Sequence, residues 1–215
     1  VPPILELDLY RYMWDGIAIN QGISPYQFAP QEILSAEPPV NDERLAVLVA
    51  TADASTTHHE ILSTVHFSQY TTIYPPVSQA VFAFAMWLAP DHGSVVLHLT
   101  MMKLVLTLFD LGTLWLVFRL LSLAKLHSGW SVVYAWSPLV VKEVSNSGHL
   151  DSIAVFFLTA SVYLFARAVL QAKPWRLFGS AACLSMGTAA KLFPVLVLPV
   201  FLVWLALGRR HRKGK

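Results

Sequence analysis

Apolar residues are spread unevenly along this chain. Residues 1–70 contain no sustained apolar run, whereas most of the chain after Thr71 is built from such runs. The first part, rich in Pro, acids and His, predicts a loop domain with short helices around Glu32–Leu34, Asp42–Ala50 and Glu60–His66. Within it, Asp8–Pro30 is punctuated by Gly16, Gly22, Pro25 and Pro30, which predicts short helical turns joined by tight bends. The apolar run Val77–Ala89, opened by Pro75–Pro76 and closed by Pro90, is too short for the roughly 20 residues of a membrane span. It predicts a helix lying in the interface or dipping partway in, with Phe82, Phe84 and Trp87 as interfacial aromatics. Leu99–Leu121 and Leu150–Leu170 are long enough to span. Trp130–Ser145 is shorter and is interrupted at Ser137–Pro138. Leu177–Leu207 is broken at Lys191 and Pro194, which splits it into Leu177–Ala190 and Leu192–Leu207.

Composition agrees with this pattern. Of 215 residues, 55% are hydrophobic and 13% charged, about half the charge of a soluble domain. The fold expected is an all-α membrane protein, a polytopic helical bundle of about five spans plus a juxtamembrane helix, with a large external loop. In domain terms, residues 1–76 are the external loop domain, 77–90 the juxtamembrane helix, 99–207 the bundle and 208–215 a basic cytoplasmic tail.

Charge sets the orientation. Residues 1–70 hold nine acidic side chains against two basic ones, and the remainder holds 13 basic against four acidic. Lys125, the group Arg167, Lys173 and Arg176, and the basic tail all fall on the cytoplasmic side if Leu99–Leu121 runs inward and Val77–Ala89 does not cross. The acidic loop, the run Ser145–Asp151 and the Lys191–Pro194 break then share the outer face. The single Cys183 provides no disulfide framework.

Several polar groups are candidates for chemistry. Asp8 and Asp15 stand about two helical turns apart and can share a face. A carboxylate there suits a general base or a metal ligand, and Arg11 suits either an ion pair with Asp8 or substrate. Asp110, deep in an apolar segment, suits packing against Lys103 or a polar neighbour, or a substrate path. Lys142 and Glu143 suit an interfacial pair. Lys191 suits snorkelling to the surface or an anion site at a broken helix. In SNSGHLD, Ser145–Asp151, His149 and Asp151 either cap the next helix or face a site. His58, His59, Glu60 and His66 lack the spacing of a metal site, so no metal ligands are assigned. No cofactor is assigned from these residues, and a divalent metal is compatible with them.

Five blocks carry a resemblance: LDLYRYMWDG…GISPYQFAP; His66 with TTIYPPVSQAVFA; KLVLTLFDLGTLWLV; AWSPLVVKEVSNSGHLD; and AAKLFPVLVLP. In this order, from about Glu6 to Leu207, the chain resembles bacterial mannosyltransferase-like proteins of the GT-C glycosyltransferase superfamily, which use polyprenyl-phosphate sugars. The resemblance implies a first transmembrane helix upstream of Val1, so that the chain is expected to be a fragment. It implies Asp8 as the catalytic carboxylate and a proline-led juxtamembrane helix at the YPP motif. The reaction implied is hexosyl transfer, mannosyl above all, from a polyprenyl-phosphate donor to a glycan or lipid acceptor at the outer face of the bacterial inner membrane. Arg11, Asp15, His66, Tyr74, His149, Asp151 and Lys191 are then the expected substrate-binding residues, with the lipid bilayer as a partner and no nucleic acid. The rival readings are a transporter or lipid-carrier flippase, using Asp110 and Lys191, and an inactive truncated paralogue.

Overall fold

The computed structural model describes residues 7–90, 92–142, 147–171 and 173–213. Glu143 of the Lys142–Glu143 pair, Ser145 and Asn146 of the SNSGHLD run, and the last residues of the tail lie outside that range. Among the described residues the secondary structure is entirely helical. The chain divides into two compact units, one formed by Val1–Leu108 and Trp136–Leu150, the other by Phe109–Ala135 and Asp151–Lys215.

The first unit opens with α1 (Asp8–Asn20). The helix ends in a glycine-dependent motif: Gly22, at φ +75°, lets its N–H reach the Ile19 carbonyl and the Ile23 N–H reach that of Ala18. The expectation of short turns separated by bends is corrected here, because Gly16 sits inside one continuous helix. Its missing side chain serves packing, since a Cβ there would stand 2.4 Å from the Phe82 carbonyl oxygen. Short helices follow, α2 (Pro30–Leu34), α3 (Glu43–Asp53) and α4 (Thr56–Ser63). Each start has a local cause: the Glu32 carboxylate accepts from the Ala29 N–H, Asp42 accepts from the N–H groups of Arg44 and Leu45, and Ser55 accepts from Thr57. The helix expected over Glu60–His66 starts at Thr56 and stops at Ser63, leaving His66 in the following turn. Pro76 then begins α5 (Pro76–Trp87), which packs along α1. Leu9, Tyr12, Met13, Ile61, Leu62, Phe82 and Ala85 are all essentially inaccessible and form the core of this unit.

Helix α6 (Val95–Leu123) contributes to both units. Its 29 residues rise about 44 Å, more than the roughly 30 Å hydrocarbon layer of a bilayer. It ends in another left-handed cap, with Lys125 rather than glycine at φ +58°.

In the second unit, α6 is followed by a single-turn 3-10 helix and α7 (Val132–Ala135). A further turn, α8 (Pro138–Val140), belongs to the first unit. The apolar segment Trp130–Ser145 is therefore not a continuous helix. Proline removes a backbone donor and pushes its predecessor out of the helical region, and Ser137 is extended at ψ 121°. Helices α9 (Asp151–Leu170) and α10 (Arg176–Ala190) run antiparallel and lie close. Ser161 and Ser180 each donate to the other's carbonyl, at 2.8 and 2.9 Å, and Gly187 leaves space for Phe157. The chain then breaks where expected. Lys191 is extended, Phe193–Val197 is a 3-10 turn around Pro194, and α11 (Leu198–Lys213) continues. Among the described residues α6 and α9 are long and apolar enough to cross a membrane, by length and composition.

Candidate functional site

A cavity of about 200 Å³ lies in the first unit, lined by Asp8, Arg11, His66, Phe67 and the segment 70–74. Four of the residues expected from sequence, Asp8, Arg11, His66 and Tyr74, thus meet in one place. One wall is the face of α1 that carries Asp8, Arg11 and Tyr12, spaced three and four residues apart. The other is the stretch between α4 and α5, which is irregular and so has backbone groups to satisfy.

Arg11 meets part of that need. Only 6% exposed, it donates from Nη2 to the carbonyls of Phe67 at 3.0 Å and His66 at 3.3 Å. Its contacts are with that backbone rather than with Asp8 one turn away. Burial lowers its pKa from the ordinary arginine value, against the opposing influence of Asp15, Tyr74 and Asp8. Burial first, and the neighbouring Asp8 carboxylate second, push the Tyr74 pKa above the usual tyrosine range. The ring of Tyr12 meets that of Tyr74 edge-on at 4.9 Å and stacks on Phe82 at 4.4 Å. Asp8 thus shares the cavity with a phenol whose ring is packed against Tyr12 and Phe82.

Asp15 has a different setting. It is 1% exposed and does not line the cavity. Gln79 Nε2 donates to its Oδ2 at 2.8 Å and to Thr72 Oγ1 at 2.9 Å, which links Thr72 to Asp15 through the Gln79 amide. The Gln79 Oε1 atom is buried without a hydrogen-bond partner. Burial pushes the Asp15 pKa up to about 6, against the hydrogen bonds from Thr72 and Gln79 and the charge of Arg11. Asp15 is thus placed behind the cavity lining, where Gln79 holds it.

His149 is half-buried, in a loop whose turn at Gly148, φ +69°, packs against Leu9 beside Asp8. It does not line the cavity. In the second unit, Lys191 Nζ contacts both carboxylate oxygens of Asp151, at 2.7 and 2.8 Å. There too Asp110 accepts from the Tyr134 hydroxyl at 2.6 Å, a polar neighbour in place of Lys103. Among the described residues no group of three His, Cys, Asp or Glu side chains is arranged to hold a metal.

Sequence reasoning leaves out Tyr12, Thr72 and Gln79. Tyr12 is four residues from Asp8 on the same face, and Gln79 is an amide inside an otherwise apolar half-span helix; both are readable signals. Thr72 has no such mark.

No curated protein and no solved structure matches the chain. A family model described as alpha-(1->6)-mannopyranosyltransferase, N-terminal domain, matches residues 1–208. With nearly its whole length matched, the chain belongs to this mannosyltransferase family, and is a GT-C-like glycosyltransferase as the five sequence blocks imply.

Proposed function

We propose that the chain transfers a mannosyl group from a polyprenyl-phosphate donor to a glycan or lipid hydroxyl at the extracytoplasmic face of the bacterial inner membrane. The observation that carries this reading is the cavity where Asp8 meets Arg11, His66 and Tyr74. In the reaction, the acceptor oxygen bonds to the anomeric carbon while the bond from that carbon to the phosphate oxygen breaks. The electron pair leaves with the lipid phosphate. Asp8 takes the acceptor proton, and Tyr74 keeps its carboxylate aimed at that hydroxyl. Developing charge on the phosphate calls for a cation, a role for Arg11. His66 and His149, both in the first unit, complete the set of sugar and acceptor contacts.

The membrane setting is supported by the outer faces of α6. Leu104, Leu108, Leu111, Trp115 and Phe118 are all at least 41% exposed. A helix apolar on every side needs lipid or protein around it. The proposed topology puts the loop domain 1–76 outside, 77–90 at the membrane surface, about five apolar segments within 99–207 in the bilayer, and the tail 208–215 in the cytoplasm.

The test is Asp8→Asn in the full-length protein, assayed in membranes with labelled polyprenyl-phosphate mannose. Transfer should fall by at least about 10²-fold with expression intact. Retained turnover overturns the assignment of Asp8.

A further inference from the structure

Two aromatic rings lining the Asp8 cavity have no part in the reaction as derived. Phe67 and Tyr70 are each 63% exposed, although both border the cavity. The backbone beneath them is unusual. Phe67 has φ +52°, the left-handed region that a bulky side chain rarely occupies. That conformation is held from below: the nearly inaccessible Arg11 donates to the carbonyls of both His66 and Phe67. The Tyr70 N–H also donates to the Phe67 carbonyl, at 3.1 Å, closing the turn. The His66 ring lies parallel to Phe67, with centroids 4.4 Å apart and planes 17° apart. The fold therefore fixes a strained residue with a buried guanidinium and turns its ring outward.

We propose that Phe67 and Tyr70 form a stacking platform for one pyranose ring bound in the Asp8 cavity. A pyranose presents a face of C–H groups that suits the negative face of an aromatic ring, while its hydroxyls seek charged partners at the edge. Both kinds of partner are present, the rings of Phe67 and Tyr70 and the charged groups of Asp8 and Arg11. The volume fits as well. About 200 Å³ is the space of roughly six or seven waters at about 30 Å³ each, the size of a single monosaccharide. An aromatic anchor in a lipid interface requires neither the carboxylate nor the pinned backbone.

The inference rests on the glycosyltransferase reading for its ligand class, and the experiment separates the two. The full chain in membranes is assayed with polyprenyl-phosphate mannose as donor and α-1,6-linked mannobiose as acceptor. The variants are Phe67→Gly, Phe67→Leu, Phe67→Trp and Tyr70→Ala. Phe67→Gly relaxes the left-handed backbone, and Phe67→Trp keeps an aromatic ring beside His66 as its control. Gly, Leu and Tyr70→Ala should raise the KM of one sugar substrate about 10-fold with kcat held within about twofold, and Phe67→Trp should keep the wild-type value. A rise for mannobiose assigns the platform to the acceptor, and a rise for the donor assigns it to the donor sugar. A Phe67→Leu variant with both KM values unchanged, or a Phe67→Trp variant as impaired as Phe67→Leu, overturns the platform. Saturation-transfer NMR on the solubilised full chain needs no turnover. The C–H protons of mannobiose or of methyl α-mannoside should receive saturation in wild type and Phe67→Trp and lose it in Phe67→Gly; equal saturation in all three overturns the platform. If Asp8→Asn keeps its turnover while these KM effects appear, the role of Asp8 fails and the platform stands.

Discussion

Gly16 of α1 and Phe82 of α5 bring the two helices together backbone to side-chain-free backbone: a Cβ on Gly16 would lie 2.4 Å from the Phe82 carbonyl oxygen and 2.8 Å from Met86 Cγ. The first distance cannot be relieved by a rotamer change, because the obstructing atom belongs to the main chain. Gly16→Ala should therefore force α1 and α5 apart and destabilise the protein by about 1–3 kcal/mol, outweighing the better helix propensity of alanine. Thermal unfolding of the purified protein checks this. An unchanged or raised midpoint shows that the helices are not held at that distance.

The buried carboxylate of Asp15 makes stability depend on pH. Its folded pKa, about 6, is above the unfolded value near 3.9. Its contribution is thus complete below about pH 4 and is lost as pH rises through 6, a difference of about 3 kcal/mol. Asp15→Asn removes the ionisation. Between pH 4 and 7 the wild type should lose stability relative to the variant by that order of magnitude. Parallel pH profiles of the two proteins rule out the assignment.

Lys191 and Asp151 touch closely but remain partly open to their surroundings, with side-chain exposures of 45% and 39%. Close geometry alone does not make such a pair strong, since charges that stay accessible are screened and lose side-chain freedom when they pair. A double-mutant cycle with Lys191→Met and Asp151→Asn should give a coupling of no more than about 1 kcal/mol in detergent solution. A coupling of several kcal/mol shows that the pair is enclosed by something besides this chain.

The parts of the fold that depend on local chemistry are legible in the sequence. Gly22, Pro76 and the Lys191–Pro194 break act within a few residues of themselves, and the structure terminates or starts helices at each. Gly16 is different. A glycine following Asp15 reads as a bend, but its reason is Phe82, which no local pattern reveals. Asp8 and Asp15 are equivalent by spacing, and burial separates them. Asp15 finds Gln79 from 64 positions away, whereas Asp8 faces a cavity. Trp130–Ser145 is legible in the same way, since the helix breaks at the Ser137–Pro138 interruption that the sequence shows. Phe67 leaves no trace in the sequence, because its left-handed backbone is held by Arg11 from 56 positions away.

The same separations bear on how the protein is made. Arg11 meets its carbonyl partners 55 and 56 residues later, Asp15 meets Gln79 after 64, and Asn20 meets Ala83 after 63. At a synthesis rate of about 5–20 residues per second, α1 leaves the ribosome on the order of 3–13 s before any of these partners exists. Through that interval its guanidinium and carboxylate must stay hydrated and its apolar face must stay shielded. The α1–α5 pair is consequently a late event in biosynthesis, and the helix that carries Asp8 depends during that delay on water for its polar groups and on transient partners for its apolar face.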